Sequence, residues 1–372
     1  MTENQIIVDD DGLELETEET QEIIRPFDPA QIRVETKLLT IDILMQRIKN
    51  DELDLMPDFQ RGGGIWTSRA KSRLIESMLI RIPIPVFYFD ATDDDKWLVV
   101  DGLQRLGAFR DFILGDFRLT DMEFLTQLNN KAHADLPRNM QRRINETQLT
   151  AYLIEKGTPP SVKLNIFKRI NTGGLPLSSQ EIRHALNPGP ARRFLEVLAQ
   201  SSPFREATDF SLATKRMADR ECVLRFSAFM LKGYKNYGRG DWDLFLNNAM
   251  GTLNTIPGPE VRELAKQFMK AMNTAAVLFR EDAFRKPTPK DQRRRAPINK
   301  ALFEAWSVNL ANLDSRQTET LISRREILLE GFNRLMDENG PFVQAISLGT
   351  SSVKKVQIRF SVIEELIRET LA

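Results

Sequence analysis

Asp101-Gly102-Leu103-Gln104-Arg105 places a carboxylate, an amide and a guanidinium around one glycine. These groups can orient water, hold a cation and neutralise phosphate charge. The segment follows Val99-Val100, and Leu106, Phe109, Phe112 and Ile113 then recur at helical spacing. It is therefore expected at a corner where a strand hands over to a helix. Backbone N–H groups at such a helix start favour an anion, and glycine lacks the Cβ that would block its approach. Two readings are open for this corner. In one, Asp101 is a metal ligand or orients an attacking water, Arg105 neutralises phosphate, and Gln104 positions nucleotide or water. In the other, Asp101 caps the helix and Arg105 lies on the surface.

Two further segments offer complementary chemistry. Gln60 and Arg61 precede Gly62-Gly63-Gly64, so they can form a second anion-binding wall on a loop that closes over a ligand. The alternative is a surface loop with Trp66 packed in the core. Phe167-Lys168-Arg169-Ile170-Asn171-Thr172-Gly173-Gly174 reads as the end of a helix. Asn171 and Gly173 suit left-handed capping positions. Functionally, Phe167 would anchor the segment, Asn171 would reach the nucleotide or a metal-bound water, and Thr172 would offer a hydroxyl.

The elements that must position these groups are legible around them. Phe87-Tyr88-Phe89 and Lys96 to Val100 flank an acidic turn and predict a strand hairpin, and Leu149 to Ile154 predicts a third strand. Residues 34–50 carry an amphipathic pattern, with Thr40 as N-cap of a helix through Ile48. Ser68 starts a helix with the apolar stripe Leu74, Ile75, Met78 and Leu79, and another spans Ser161 to Ile170. Ser178 and Glu181 form a capping box for a helix through Leu186. Asn187-Pro188-Gly189-Pro190 stops it, and the domain boundary is expected there.

From Ala191 onward the periodicity is helical, interrupted by a basic connector over 284–300 and by the loop Ser347 to Ser352. Arg293, Arg294 and Arg295, with Lys354 and Lys355, are candidate contacts to a nucleic-acid backbone. No aromatic residues are interleaved with that basic run, so base stacking gains no support, and a solvated linker is the competing reading.

Composition narrows the chemistry. The 372 residues suffice for two cores, and no apolar run approaches a membrane span. A secretory signal is not expected, and a single cysteine, Cys222, fits a reducing cytoplasm. Two histidines, His133 and His184, give little material for zinc, and both are read as structural. The formal charge is zero, but residues 1–24 hold nine acids and no Lys or Arg, leaving 43 acids against 52 bases elsewhere. Residues 1–30 are accordingly expected to be a disordered acidic tail, which either aids solubility or competes with nucleic acid for a basic surface.

Several spaced motifs together resemble the N-terminal domain of GmrSD-type restriction endonucleases, within the wider ParB/sulfiredoxin-like fold. They are Pro57 to Arg61, Trp66, Leu74 to Ser77, Ile82-Pro83, Asp101 to Arg105, Phe167 to Asn171, and Leu175 to Ser178 followed by Glu181. One departure is Leu103, where the family carries Gln. The resemblance covers about residues 31–190. It implies a ParB-like nucleotide-binding domain with a small mixed sheet over 31–190, and with the helical periodicity that follows, the chain is expected to be α+β with an all-α domain over 191–372.

It further implies a cytoplasmic NTP-hydrolysing component of a prokaryotic restriction or anti-phage system, with Mg²⁺ and GTP, ATP or CTP at the site. Asp101, Gln104 and Arg105 would be catalytic, with Asp101 the metal ligand. Gln60, Arg61, Gly102, Phe167, Asn171 and Thr172 would bind nucleotide. DNA, a separate nuclease or methyltransferase subunit, and a second copy of the chain are the expected partners. Residues 191–372 contain no histidine, so an HNH nuclease site is not expected, and the chain reads as a stand-alone member. Alternatives are a nucleotide-dependent DNA clamp or sensor without turnover, and a nuclease using Asp101 as metal ligand.

Overall fold

The computed structural model describes residues 13–14, 32–55, 66–170, 177–212, 214, 216–238, 241–287 and 295–372. Gln60, Arg61, Asn171, Thr172, Arg293 and Arg294 lie outside the described residues. The chain divides into two compact units, residues 25–177 and residues 1–24 with 178–372. This division falls ahead of the break at Asn187–Pro190.

The first unit runs β1 (Val34–Thr40), α1 (Ile41–Lys49), β2 (Leu53–Asp54), α2 (Ser68–Leu79), β3 (Phe87–Ala91), β4 (Trp97–Asp101), α3 (Leu103–Leu114), α4 (Arg138–Asn145), β5 (Gln148–Glu155) and α5 (Pro160–Ile170). Its sheet has the order β1-β5-β3-β4-β2. β1–β5 and β3–β4 pair antiparallel, while β3–β5 and β2–β4 pair parallel, so the sheet is mixed. The hairpin and third strand are where the sequence places them. The Thr40 hydroxyl caps α1 by accepting from the Ile43 N–H at 3.3 Å.

Residues 34–40 differ from the sequence reading, which ran them into the amphipathic pattern of α1. They form an edge strand, because pairing with β5 satisfies a backbone whose side chains are mostly exposed. Alternation sends Phe87 and Phe89 into a core with Ile75, Val99, Leu106 and Phe109, and Tyr88 to the opposite face. Lys163 of α5 meets Asp90 of β3 at 3.0 Å and donates to Thr92.

The second unit is almost wholly helical: α6 (Ser179–Leu186), α7 (Pro190–Ala199), α8 (Ser202–Ala207), α9 (Ala218–Lys232), α10 (Trp242–Thr255), α11 (Gly258–Phe279), α12 (Lys300–Ala311), α13 (Ser315–Ser323), α14 (Arg325–Glu338), α15 (Gly340–Ala345) and α16 (Val353–Leu371). The capping box is present, with the Ser178 hydroxyl accepting from the Glu181 N–H at 3.1 Å. α9 and α12 are buried almost all round, which explains their weak amphipathicity in sequence. Cys222 is fully buried in α9, and burial pushes its thiol up, as suits a core residue.

Four charges meet inside this unit. Arg225 contacts Glu221 at 2.6 Å and Glu304 at 2.7 Å, and Arg359 contacts Glu304 at 2.5 Å. Glu304 and Arg359 are both 0% exposed. Lys300 adds a contact to Glu221 at 3.3 Å.

Leu13 and Glu14, within the stretch expected to be a disordered tail, are buried in the helical unit. Leu13 bridges Ile298, and the Glu14 N–H donates to the Ile298 carbonyl at 3.0 Å. The Glu14 carboxylate accepts from Lys286 at 2.5 Å and from the Asn299 amide at 2.9 Å. A buried leucine and a doubly bonded carboxylate hold these two residues down.

Candidate functional site

Gly102 occupies the N-cap of α3 with φ +100, a conformation that glycine adopts without strain. A Cβ there would stand 2.2 Å from the Phe87 ring. The glycine is therefore required by the protein's own packing, whatever ligand it also admits. Its carbonyl accepts from the Leu106 N–H, so α3 starts immediately after it with its first N–H groups outside the helical ladder.

The reading of the Asp101–Arg105 corner as a side-chain cap with a surface arginine is overturned. Asp101 does not cap α3, because the cap is Gly102 and no side chain bonds to it. Arg105 is not on the surface. It is 9% exposed and turned inward, where it meets the Asp101 carboxylate at 2.7 Å. It also donates to the carbonyls of Pro85 and Val86 and lies 4.4 Å above the Phe87 ring. Burial draws the guanidinium below its ordinary value, and Asp101 pulls the other way. Arg105 thus ties the end of β4 to the approach to β3.

Asp101 keeps 30% of its side chain exposed, and among the described residues Arg105 is the carboxylate's hydrogen-bond partner. Gln104 accepts from the Trp66 N–H at 3.4 Å, and Trp66 packs against the sheet-unit core. The Gln104 amide thereby links the corner to the residue that follows the Gln60–Arg61 loop in sequence. Phe167 is 2% exposed. It packs inward in the last turn of α5.

So the structure brings Asp101, Gly102, Gln104 and Arg105 together. It gives Arg105 an inward role, and Phe167 a packing one. No group of three His, Cys, Asp or Glu side chains suited to a metal is present among the described residues. Magnesium makes a smaller demand, since one carboxylate with waters and phosphate oxygens suffices. The half-open Asp101 carboxylate fits that role.

Of the expected nucleic-acid contacts in the helical unit, Arg295 pairs with Asp209 at 2.6 Å and Lys355 donates to the Leu348 carbonyl at 2.7 Å. Lys354 is exposed.

Tyr88 and Tyr152 are the side chains the sequence reading passed over. They face each other in the β3–β5 register, with ring centroids 5.1 Å apart and planes 26° apart. Tyr88 also pairs with Asp101 in the β3–β4 register. The available signal was parity: Tyr88 lies between two core phenylalanines and must face away from them.

No helix among the described residues is long and apolar enough to cross a membrane. Residues 41–187 match the family described as GmrSD restriction endonuclease, N-terminal domain. No curated protein and no solved structure matches the chain. The match takes in the Asp101 corner, the loop before Trp66 and the end of α5, and it stops at the break before α7. Residues 41–187 are thus similar to a GmrSD-type N-terminal domain, and the helices from α7 onward lie outside the match.

Proposed function

We propose that this protein is a nucleotide-hydrolysing component of a restriction or anti-phage defence system, acting at the Asp101 corner. The observation that carries this reading is the Asp101 carboxylate. It is half open to solvent, fixed by a buried arginine, and set beside the glycine-led start of α3. The family match supports the defence setting.

In this reading Asp101 holds Mg²⁺ and orients the attacking water, and the N-terminal N–H groups of α3 receive phosphate oxygens. Bound Mg²⁺ supplies charge neutralisation at the phosphates. Arg105 serves as a positioning residue, holding Asp101 in one rotamer. Gln104 positions water or nucleotide, and Gln60, Arg61, Asn171 and Thr172 complete the phosphate and nucleoside contacts. GTP, ATP and CTP are the candidate substrates. DNA is the partner whose engagement, or whose cleavage by a separate subunit, turnover would gate, and the cytoplasm is the setting.

Phosphate release by the full chain with Mg²⁺ and each of four NTPs, with and without DNA, tests this reading. Turnover that disappears in Asp101→Ala is the expected result. Saturable binding without phosphate release would instead favour the clamp or sensor.

A further inference from the structure

Tyr88 and Asp101 are directly opposed in the β3–β4 register, whereas the next pairing along is Phe89 with Val99. One residue of β4, Val100, is therefore extra, and Val100 and Asp101 together face Tyr88. A bulge of this kind re-aims side chains at a strand end. On its other side, Tyr88 stacks on Tyr152, which is in turn paired with Thr36 of β1. One row across four strands thus reads Thr36, Tyr152, Tyr88, Asp101.

The stack immobilises the Tyr88 ring, so its hydroxyl is presented in a fixed place. Directly opposed residues have Cβ atoms about 4.5–5.5 Å apart. A tyrosine outreaches an aspartate by the length of its ring, so the phenol tip stands beyond the carboxylate. Among the described residues the Tyr88 hydroxyl has no hydrogen-bond partner, and it makes no bond to Asp101. A tyrosine phenol carries its proton at neutral pH and can donate it to a hydrogen bond.

We infer that the Tyr88 hydroxyl donates a hydrogen bond to a phosphoryl oxygen of the nucleotide held at Asp101, with Tyr152 as the stacking support that fixes it. This rests on the nucleotide reading above and adds to it a binding residue on the β3 side of the site. A neutral donor at this place grips phosphate without adding a charge that would compete with Arg105 for Asp101. Tyr152 lies one strand further away, and two strand spacings, about 10 Å, separate it from Asp101.

The test is the nucleotide Kd of the full chain, with Mg²⁺ and the NTP it turns over, for wild type and for Tyr88→Phe, Tyr152→Phe and Tyr152→Ala. Tyr88→Phe keeps the stack and removes one oxygen. Its urea midpoint should equal that of wild type while its Kd weakens roughly tenfold or more, the worth of a hydrogen bond to a charged group. Tyr152→Phe should bind within about twofold of wild type, and Tyr152→Ala should fall between because Tyr88 loses its support. Wild-type affinity in Tyr88→Phe, with binding still abolished by Asp101→Ala, overturns this inference alone. Absence of nucleotide binding by the wild type overturns the nucleotide reading, and this inference with it.

Discussion

The Asp101–Arg105 pair of the sheet unit and the Glu304–Arg225–Arg359 group of the helical unit are both carboxylate–guanidinium assemblies, but their surroundings differ. In the first, the arginine is buried and the carboxylate keeps 30% exposure. In the second, Glu304 and Arg359 have no exposure at all. A sealed group meets no ligand, so its charges serve only to join helices α9, α12 and α16. A half-open group has its geometry fixed from within while one face stays available. Function is therefore sought where an ion pair is sealed on one side, and architecture where it is sealed on both.

The largest effect is expected from breaking the sealed group. Glu304→Ala leaves two buried guanidiniums without their shared carboxylate, which should cost about 3–5 kcal/mol. Urea unfolding of the full chain should show it, and a loss below 1 kcal/mol would remove the contrast with the Asp101 corner. Replacing Glu304, Arg225 and Arg359 together by apolar residues sharpens the point. It should recover part of that loss, because no guanidinium is stranded and Glu221 keeps Lys300 at 3.3 Å.

Gly102→Ala attacks the backbone of the half-open corner rather than its charge. The positive φ and the contact with Phe87 together should cost about 2–4 kcal/mol, read as a lowered urea midpoint. An unchanged midpoint would mean that Phe87 yields easily.

Acid is a milder probe of the sealed group. Burial raises the Glu221 carboxyl, but Lys300, Arg225 and Arg183 outweigh it and hold the group well below the usual carboxylate range. A depressed folded value means that this stabilisation is complete above the unfolded pKa of about 4.3 and is lost as pH falls below it. The urea midpoint should therefore fall from about pH 5 downward. Glu221→Gln should start less stable and fall less steeply. A parallel decline in both proteins would remove Glu221 as the cause.

Local devices were the legible part of this molecule. The Thr40 cap, the Ser178–Glu181 capping box, the hairpin and the helix after Gly102 depend on residues within a few positions of one another. β1 was not legible as a strand, because its partner β5 lies more than a hundred residues away and its own side chains are largely exposed. Glu221 and Arg225 stand four residues apart, a spacing that by itself marks only two neighbours on one helix face. Only the arrival of Glu304 and Lys300 from α12, and of Arg359 from α16, turns them into a buried centre.

At the corner, the residue types in Asp101 to Arg105 were readable, but which of them faces inward was not. That is decided by the Pro85 and Val86 carbonyls and by the Phe87 ring. Tyr88 escaped notice because its role depends on a strand register rather than on a motif. Leu13 and Glu14 lay inside a charge run whose composition pointed only to solvation, and their burial depends on Ile298, Lys286 and Asn299 far along the chain.

The most direct measurement is phosphate release by Asp101→Asn, compared with wild type at equal folded fraction. This change keeps the size of the side chain and a hydrogen-bond acceptor for Arg105 while removing the charge. The account predicts near-wild-type stability with turnover reduced by about a hundredfold or more. Wild-type turnover in this variant would contradict the placement of the chemistry at Asp101.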